Sequence, residues 1–254
     1  MKVIAIANQK GGVGKTTVTL NLGAGLAELG RRVLMIDLDP QASLTLTTVG
    51  ESSGNCVAEV IGATHPGTRS LADVIRPVSE QLDIAPGGMT LAVSEIGLIT
   101  RMNREGILKK ALAAIDGYDV VLIDCGPTMG LLVENALNAT DGVIIPTLAT
   151  GMDKRGVDIF HESVAAVRSE LNPELEILGL VINQFDPRLK LHNATLADIH
   201  NSNLTVLAVI GRSVQAASTV GEGQPLTRGK LAGQFQVLTA RINEWLNGRP
   251  VGTV

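Results

Sequence analysis

A chain of 254 residues with 45% hydrophobic and 18% charged residues has material for one core of nearly the largest single-domain size, and too little charge for a disordered polymer. Aromatics make up 2%, so the core must be built from Val, Ile, Leu and Ala, and stacking platforms for single-stranded nucleic acid are argued against. The formal charge of −4 means that any nucleic-acid contact would rest on a local basic patch and not on the whole molecule.

Short β-rich apolar runs recur in chain order at Lys2–Ala7, Arg32–Ile36, Leu82–Ala85, Asp119–Ile123, Gly142–Pro146, Glu176–Ile182 and Thr205–Ile210. Between them lie segments with helical spacing. Thr16–Leu29 aligns Val18, Leu22, Leu26 and Leu29, and Val157–Leu171 aligns Phe160, Val164, Val167 and Leu171. Alternating strand and helix with short connections implies right-handed βαβ units, and the expected fold is one doubly wound, mostly parallel α/β sheet with helices on both faces. The stretch Val49–Ser70, rich in Gly, Ser and Thr and carrying His65-Pro66-Gly67, reads as a surface loop with one helical turn. Gly229–Leu246 puts Leu231, Phe235, Leu238, Ile242 and Trp245 at helical spacing, and its polar face lacks the Lys/Arg cluster of a membrane-binding helix, so it is read as packing. One domain over 1–247 and a frayed tail over 248–254 are expected. No apolar run is long enough to span a membrane, and the opening run is too short for a signal segment. Cys56 and Cys125 form no paired motif, which argues against a disulfide scaffold, a zinc site or an iron–sulfur cluster within one chain and fits a reducing cytoplasm.

The first strand runs directly into Asn8-Gln9-Lys10-Gly11-Gly12-Val13-Gly14-Lys15-Thr16-Thr17 and then into an apolar-periodic helix, the context of a phosphate-binding loop. Glycines at 11, 12 and 14 permit the tight turn that aims successive N–H groups and a helix N-terminus at a β-phosphate. Lys15 is expected to reach the β- and γ-phosphates and the Thr16 hydroxyl to bind Mg²⁺. The usual pattern wants Gly at position 9; this chain has Gln9, followed by a second lysine, Lys10. Two further strands end in carboxylates, Asp37-Leu38-Asp39-Pro40-Gln41 and Asp124-Cys125-Gly126-Pro127, at the edge where open parallel sheets bind ligands. Asp39 is read as orienting the attacking water, Asp37 as supporting the Mg²⁺ shell or the loop, and Asp124 as holding a Mg²⁺-bound water.

Together these segments resemble the deviant Walker A, A′ and B motifs of the ParA/MinD ATPases. Asn172–Gly179, Val181-Ile182-Asn183 and Gly211-Arg212-Ser213-Val214 look like the ParA branch, so the resemblance covers almost the whole chain. It implies ATP and Mg²⁺ as cofactors and hydrolysis of ATP to ADP and phosphate, slow without a partner. It implies a dimer that sandwiches ATP, with Lys10 acting across the interface. The nucleotide contacts would be Lys10, Gly11, Gly12, Val13, Gly14, Lys15, Thr16, Thr17, Asn183 at adenine and Arg212. Lys10, Lys15 and Asp39 would be catalytic, and Thr16, Asp39 and Asp124 would serve the metal, the carboxylates through water. The resemblance also implies nonspecific binding of duplex DNA, with Arg188, Lys190, Arg212, Arg228 and Lys230 as candidates, and a ParB-like or other cargo adaptor. The setting would be prokaryotic cytoplasm at the nucleoid, away from membrane. The short N-terminus leaves no room for a helix-turn-helix domain. The chain departs from the family pattern at Gly126 and Gly211, where many relatives carry Pro, and at Gln215, where many are basic. A MinD-like membrane switch and a metabolic enzyme on the same scaffold, such as a carboxylate-activating synthetase, are the rival readings.

Overall fold

The computed structural model describes residues 1–51, 54–62, 69–201, 204–212, 225–226 and 229–253. Eight strands form one sheet: β1 (Lys2–Ile6), β2 (Val33–Leu38), β3 (Arg76–Ser79), β4 (Leu82–Ala85), β5 (Val120–Cys125), β6 (Gly142–Leu148), β7 (Glu176–Phe185) and β8 (Val206–Gly211). Their order across the sheet is β3-β4-β2-β5-β1-β6-β7-β8. All neighbours run parallel except β3, which lies antiparallel to β4 at one edge. The seven apolar runs supply seven of these strands. The eighth, β3, was not anticipated because Arg-Pro-Val-Ser is short, half exposed and bulged, a segment that proline confines to an edge.

The central strands β2 and β5 are apolar along most of their length because they are covered on both faces, with polar residues confined to the C-terminal end. Alternate residues of β1 divide between two cores: Val3 and Ala5, with Ala7 just past the strand, join one, Ile4 and Ile6 the other. The first core is closed by α3 (Val57–Ile61), α4 (Thr90–Leu98), α5 (Ile107–Leu112), α6 (Leu131–Asn138), α7 (Gly151–Glu170) and α8 (Lys190–His200). The second is closed by α1 (Lys15–Glu28), by Leu44 of α2 (Ser43–Thr48) and by α9 (Lys230–Leu246). In α1, Val18, Leu22 and Leu26 are buried as their spacing predicts, whereas Leu29, one turn further, is exposed because the chain turns out of the helix at Gly30, with φ 82°. Full burial of each such side chain contributes about 1.5–3 kcal/mol over leaving it exposed.

The apolar stripe of α9 is spent inside the molecule: Phe235, Leu238, Ile242 and Trp245 all join the second core. Gly25 lets α1 approach α9, since a Cβ there would run into Thr239. Among the described residues no helix is long and apolar enough to cross a membrane. In the segment read as a tail, the Thr253 hydroxyl accepts from the Val206 N–H at 3.1 Å and its carbonyl accepts from Arg241 Nη2 at 3.0 Å. The stretch 49–70 contains α3, with Val57 and Ile61 fully buried; His65-Pro66-Gly67 lies outside the described residues.

Candidate active site

Parallel strands place all their C-terminal ends on one edge, and the three motifs meet there. In the sheet Ile6 and Asp37 both stand in register with Asp124, so the loop leaving β1 starts beside Asp124 on the adjacent strand β5, with Asp37 one strand further on β2. Helix α1 begins at Lys15, immediately after Gly14 in the left-handed region with φ 90°. Glycine at 14 is needed twice over, for that φ and because a Cβ would stand 2.8 Å from Asn183 Nδ2.

The loop is braced from several directions. Asn183 Nδ2, on β7, donates to the Val13 carbonyl at 2.7 Å. Asn8, buried, donates through Nδ2 to the Pro146 carbonyl of β6 at 2.7 Å and accepts the Lys10 N–H at 3.0 Å. Gln9 Nε2 donates to Ser163 Oγ of α7 at 3.1 Å. The Lys15 ammonium donates to the carbonyls of Asn8 and Lys10, both at 3.1 Å. Lys10 is therefore fixed through both of its peptide groups.

Asp124 is fully buried under α1, where Thr16 Oγ1 donates to its Oδ2 at 2.7 Å and Thr19 Oγ1 to its Oδ1 at 3.3 Å. Burial first, and then the neighbouring Asp37, push its carboxyl well above the usual carboxylate range; the Thr16 bond and Lys15 oppose this. Asp37, also fully buried, is pushed up to about 6 by the same loss of solvation, against hydrogen bonds from Thr45 and from the Asp39 N–H. Burial holds the Lys15 ammonium below the ordinary lysine range, against the attraction of Asp124. Two buried carboxylates side by side, with one buried lysine attracted to Asp124, form a site short of positive charge. Asp39 lies just past β2, half-buried, with Oδ1 accepting the Gln41 N–H at 3.0 Å. A Cβ on Gly126 would come within 3.5 Å of Asp39 Oδ1, which places the loop after β5 against Asp39.

These residues fit a magnesium nucleotide. A Cβ added at Gly11 or Gly12 would meet nothing within 4 Å, so bare backbone faces open space at the loop's crest. The Thr16 hydroxyl and the Asp124 carboxylate are the hard oxygen donors that Mg²⁺ prefers. The structure thus brings together Lys10, Gly11, Gly12, Val13, Gly14, Lys15, Thr16, Asp39, Asp124 and Asn183. Thr17 sits on the first turn of α1, where its carbonyl accepts from Asn21 Nδ2.

The basic candidates among the described residues occupy the same sheet edge further along. Arg188 is exposed and forms a two-pronged ion pair with Asp186, at 2.9 and 2.8 Å. That pair holds the Asp186 carboxyl far below the usual range. Exposed Lys190 opens α8. The backbone N–H of exposed Arg212 donates to the Phe185 carbonyl, which sets it beside the end of β7. Exposed Lys230 opens α9 one turn before Gln234, whose amide oxygen accepts the Gly211 N–H. Arg228 and Gln215 lie outside the described residues.

Sequence reasoning missed Asn8, Thr19, Thr45 and Gly87. The Thr45 hydroxyl donates to Asp37 and accepts the Gly87 N–H. A polar residue directly after an apolar strand was a usable signal for Asn8. Nothing in the spacing marks the other three, whose partners lie far away in sequence.

A family model described as an AAA domain matches residues 1–177. The chain is 36% identical to the sporulation initiation inhibitor protein Soj of Bacillus subtilis, over 89% of this chain and 90% of that protein. It is 37% identical to the chromosome partitioning protein ParA of Caulobacter vibrioides, over 89% of this chain and 86% of that one. In structure it is similar to a cobyrinic acid a,c-diamide synthase of Mycobacterium smegmatis solved with an ATP analogue and magnesium. There the identity is 34% and the TM-score 0.86, with 100% of this chain and 99% of that chain covered.

Proposed function

The chain belongs to the ParA family of P-loop ATPases, with ATP and Mg²⁺ as its cofactors, and from that premise we propose that it is an ATP-dependent dimeric switch that binds duplex DNA without sequence preference and positions a cargo. Lys15 neutralises charge on the transferred phosphoryl group, and Asp39 orients the attacking water. Thr16 and Asp124 hold the metal, which when bound neutralises charge on the phosphate oxygens. Asn183 contributes at adenine and Arg212 at its rim. Lys10 acts in trans: a cation delivered only when two subunits close makes assembly depend on the nucleotide.

The observation that carries this reading is the fixing of Lys10 through both peptide groups, its N–H on Asn8 and its carbonyl on Lys15. Both anchors are main-chain groups, so they hold position 10 at the entry of the phosphate loop, from which its lysine side chain starts. The exposed Arg188, Lys190, Arg212 and Lys230, together with Arg228, which lies outside the described residues, supply phosphate contacts, which a net-negative protein can make locally. A ParB-like adaptor accelerates hydrolysis and releases the dimer from DNA. The setting is prokaryotic cytoplasm, on the nucleoid.

The test is binding to arbitrary duplex DNA with ATP, with ADP and without nucleotide, at two salt concentrations, with mass determination alongside. A dimer that forms only with ATP and binds DNA in a salt-sensitive way is the expected result. An ATP dimer indifferent to DNA overturns the DNA half of the proposal, and vesicles are then the next surface to try.

The likeness to a synthase of almost the same length favours one second reading, ATP-dependent activation of a carboxylate for amide formation. Turnover that needs a carboxylate substrate and an amide donor, and ignores DNA, would select it.

A further inference from the structure

Asp39 carries the hydrolytic role in the proposed function, and among the described residues its Oδ1 accepts the local Gln41 N–H. What fixes its backbone is Asp37, whose Oδ1 accepts the Asp39 N–H at 3.2 Å. Asp37 in turn is set by one residue. Its Oδ2 accepts the backbone N–H of Thr45 at 2.8 Å and the hydroxyl of Thr45 at 2.7 Å.

The orientation of that hydroxyl is not free. The Gly87 N–H, 2.7 Å away, can only donate, so the Thr45 oxygen accepts there and its single proton goes to Asp37. The contact is close by construction: a Cβ on Gly87 would stand 2.6 Å from the Asp37 carbonyl oxygen and 2.9 Å from its Cγ. The end of β2 and the helix α2 that follows it are joined at one hydroxyl to the turn after β4, 42 residues on from Thr45, and Asp37, Thr45 and Gly87 are all buried. Buried groups of this kind are costly to leave unpaired, so the hydroxyl has no cheap alternative.

We propose that Thr45 is a positioning residue for hydrolysis, its hydroxyl clamping Asp37 so that Asp37 holds the Asp39 backbone in place for the attacking water. The proposal rests on the ATPase reading above and adds to it a residue that touches neither nucleotide nor metal. Because Thr45 acts through Asp37 and Asp39, and not through Lys15, Thr16 or the glycine loop, it affects turnover and leaves nucleotide affinity alone.

The experiment compares the full-length chain with Thr45→Val, which keeps the shape and removes the hydroxyl, Thr45→Ser, which keeps the hydroxyl, and Asp39→Ala. Three quantities are read: fluorescent ATP-analogue affinity, kcat and KM with Mg²⁺ over incubations long enough for slow turnover, and amide hydrogen exchange over residues 37–45 and 86–90 in nucleotide-free protein. Thr45→Val is expected to lower kcat at least tenfold with KM and affinity within twofold, and to speed exchange in both segments. Thr45→Ser is expected to restore kcat to within threefold and to restore protection. Wild-type kcat in Thr45→Val overturns the proposal. So does loss of affinity in step with kcat, or failure of Thr45→Ser to rescue, since each marks a merely structural residue. Should Asp39→Ala hydrolyse like wild type, the ATPase reading itself fails and takes the clamp's catalytic meaning with it, an outcome distinct from a normal Asp39 requirement with an indifferent Thr45.

Discussion

The two ends of the same sheet edge are built on opposite principles. Around β1, β2 and β5 the polar groups are buried and cross-tied: Asn8 reaches β6, Asn183 braces Val13, Asp124 takes two threonines of α1, and Asp37 is held through α2 and the turn after β4. Around the ends of β7 and β8 the charges are exposed, and among the described residues Arg188 pairs with Asp186, two residues away. Buried groups must be satisfied by specific neighbours, so each replacement there is felt through the whole cluster. Exposed charges are solvated already and act on a polyanion collectively, so each one alone matters little. The contrast therefore predicts a steep ladder of mutational effects from one end of the edge to the other.

The largest effect belongs to Lys15. Lys15→Ala removes the buried cation attracted to Asp124 and Asp39, and ATP affinity is expected to fall more than about 100-fold, an amount in keeping with losing a buried charge. A fluorescent nucleotide titration reads it. The wild-type chain carries a matching pH signature. Burial lowers the Lys15 pKa, so the ammonium is present at neutral pH and is lost as pH rises, at a point below the ordinary value of 10.5. Affinity should therefore decline in the alkaline range before ordinary lysines titrate, and a flat profile to pH 10.5 would show Lys15 to be as solvated as the rim residues.

Asp39→Ala comes next and separates binding from turnover. ATP affinity should stay within a few-fold while hydrolysis drops about 100-fold or more, the scale of removing a group that acts only in the transition state. If the dimer is the ATP-bound form, the variant accumulates as a dimer on a sizing column. An ATP-bound monomer in that variant would count against the sandwich.

Asn8→Ala tests whether the bracing is structural currency. It leaves the Pro146 carbonyl and the Lys10 N–H without their buried partner, and a loss of about 1–3 kcal/mol in unfolding free energy is expected from urea melts. No loss would place Asn8 with the tolerant residues of the rim and weaken the argument that Lys10 is deliberately fixed.

How much of this could be read without coordinates follows the same divide. The parallel sheet was legible because a strand covered on both faces must be apolar throughout, as Val120–Ile123 and Val33–Ile36 are, and because helices between them show their buried stripes. The glycine loop with Lys15 and Thr16 was legible because a phosphate cradle demands glycine, lysine and hydroxyl in contiguous order. Strand β3 was not, since its pairing with β4 supplies from outside what Arg-Pro-Val-Ser lacks in itself. Thr45 and Gly87 were not, because the property that matters, a hydroxyl and an N–H brought to 2.7 Å, is created by tertiary folding between residues that carry no local pattern.

Arg188 stands at the bottom of the ladder, and its expected effect is small for a stated reason. Its side chain is 87% exposed and already paired with Asp186, so engaging a DNA phosphate means sharing or leaving that carboxylate. Arg188→Ala is expected to weaken duplex binding two- to fivefold, to lower the dependence of log affinity on log salt by about one unit, and to leave ATP-dependent dimerisation unchanged. Asp186→Asn supplies the converse: with the competing carboxylate gone, affinity should rise by a similar factor. Were Arg188→Ala silent at several salt concentrations while Asp186→Asn strengthened binding, the carboxylate would be repelling phosphate and the contacts would belong to Lys190 and Arg212. Silence in both variants would remove the end of β7 from the DNA surface altogether, since a pair that neither attracts nor repels a polyanion does not face one.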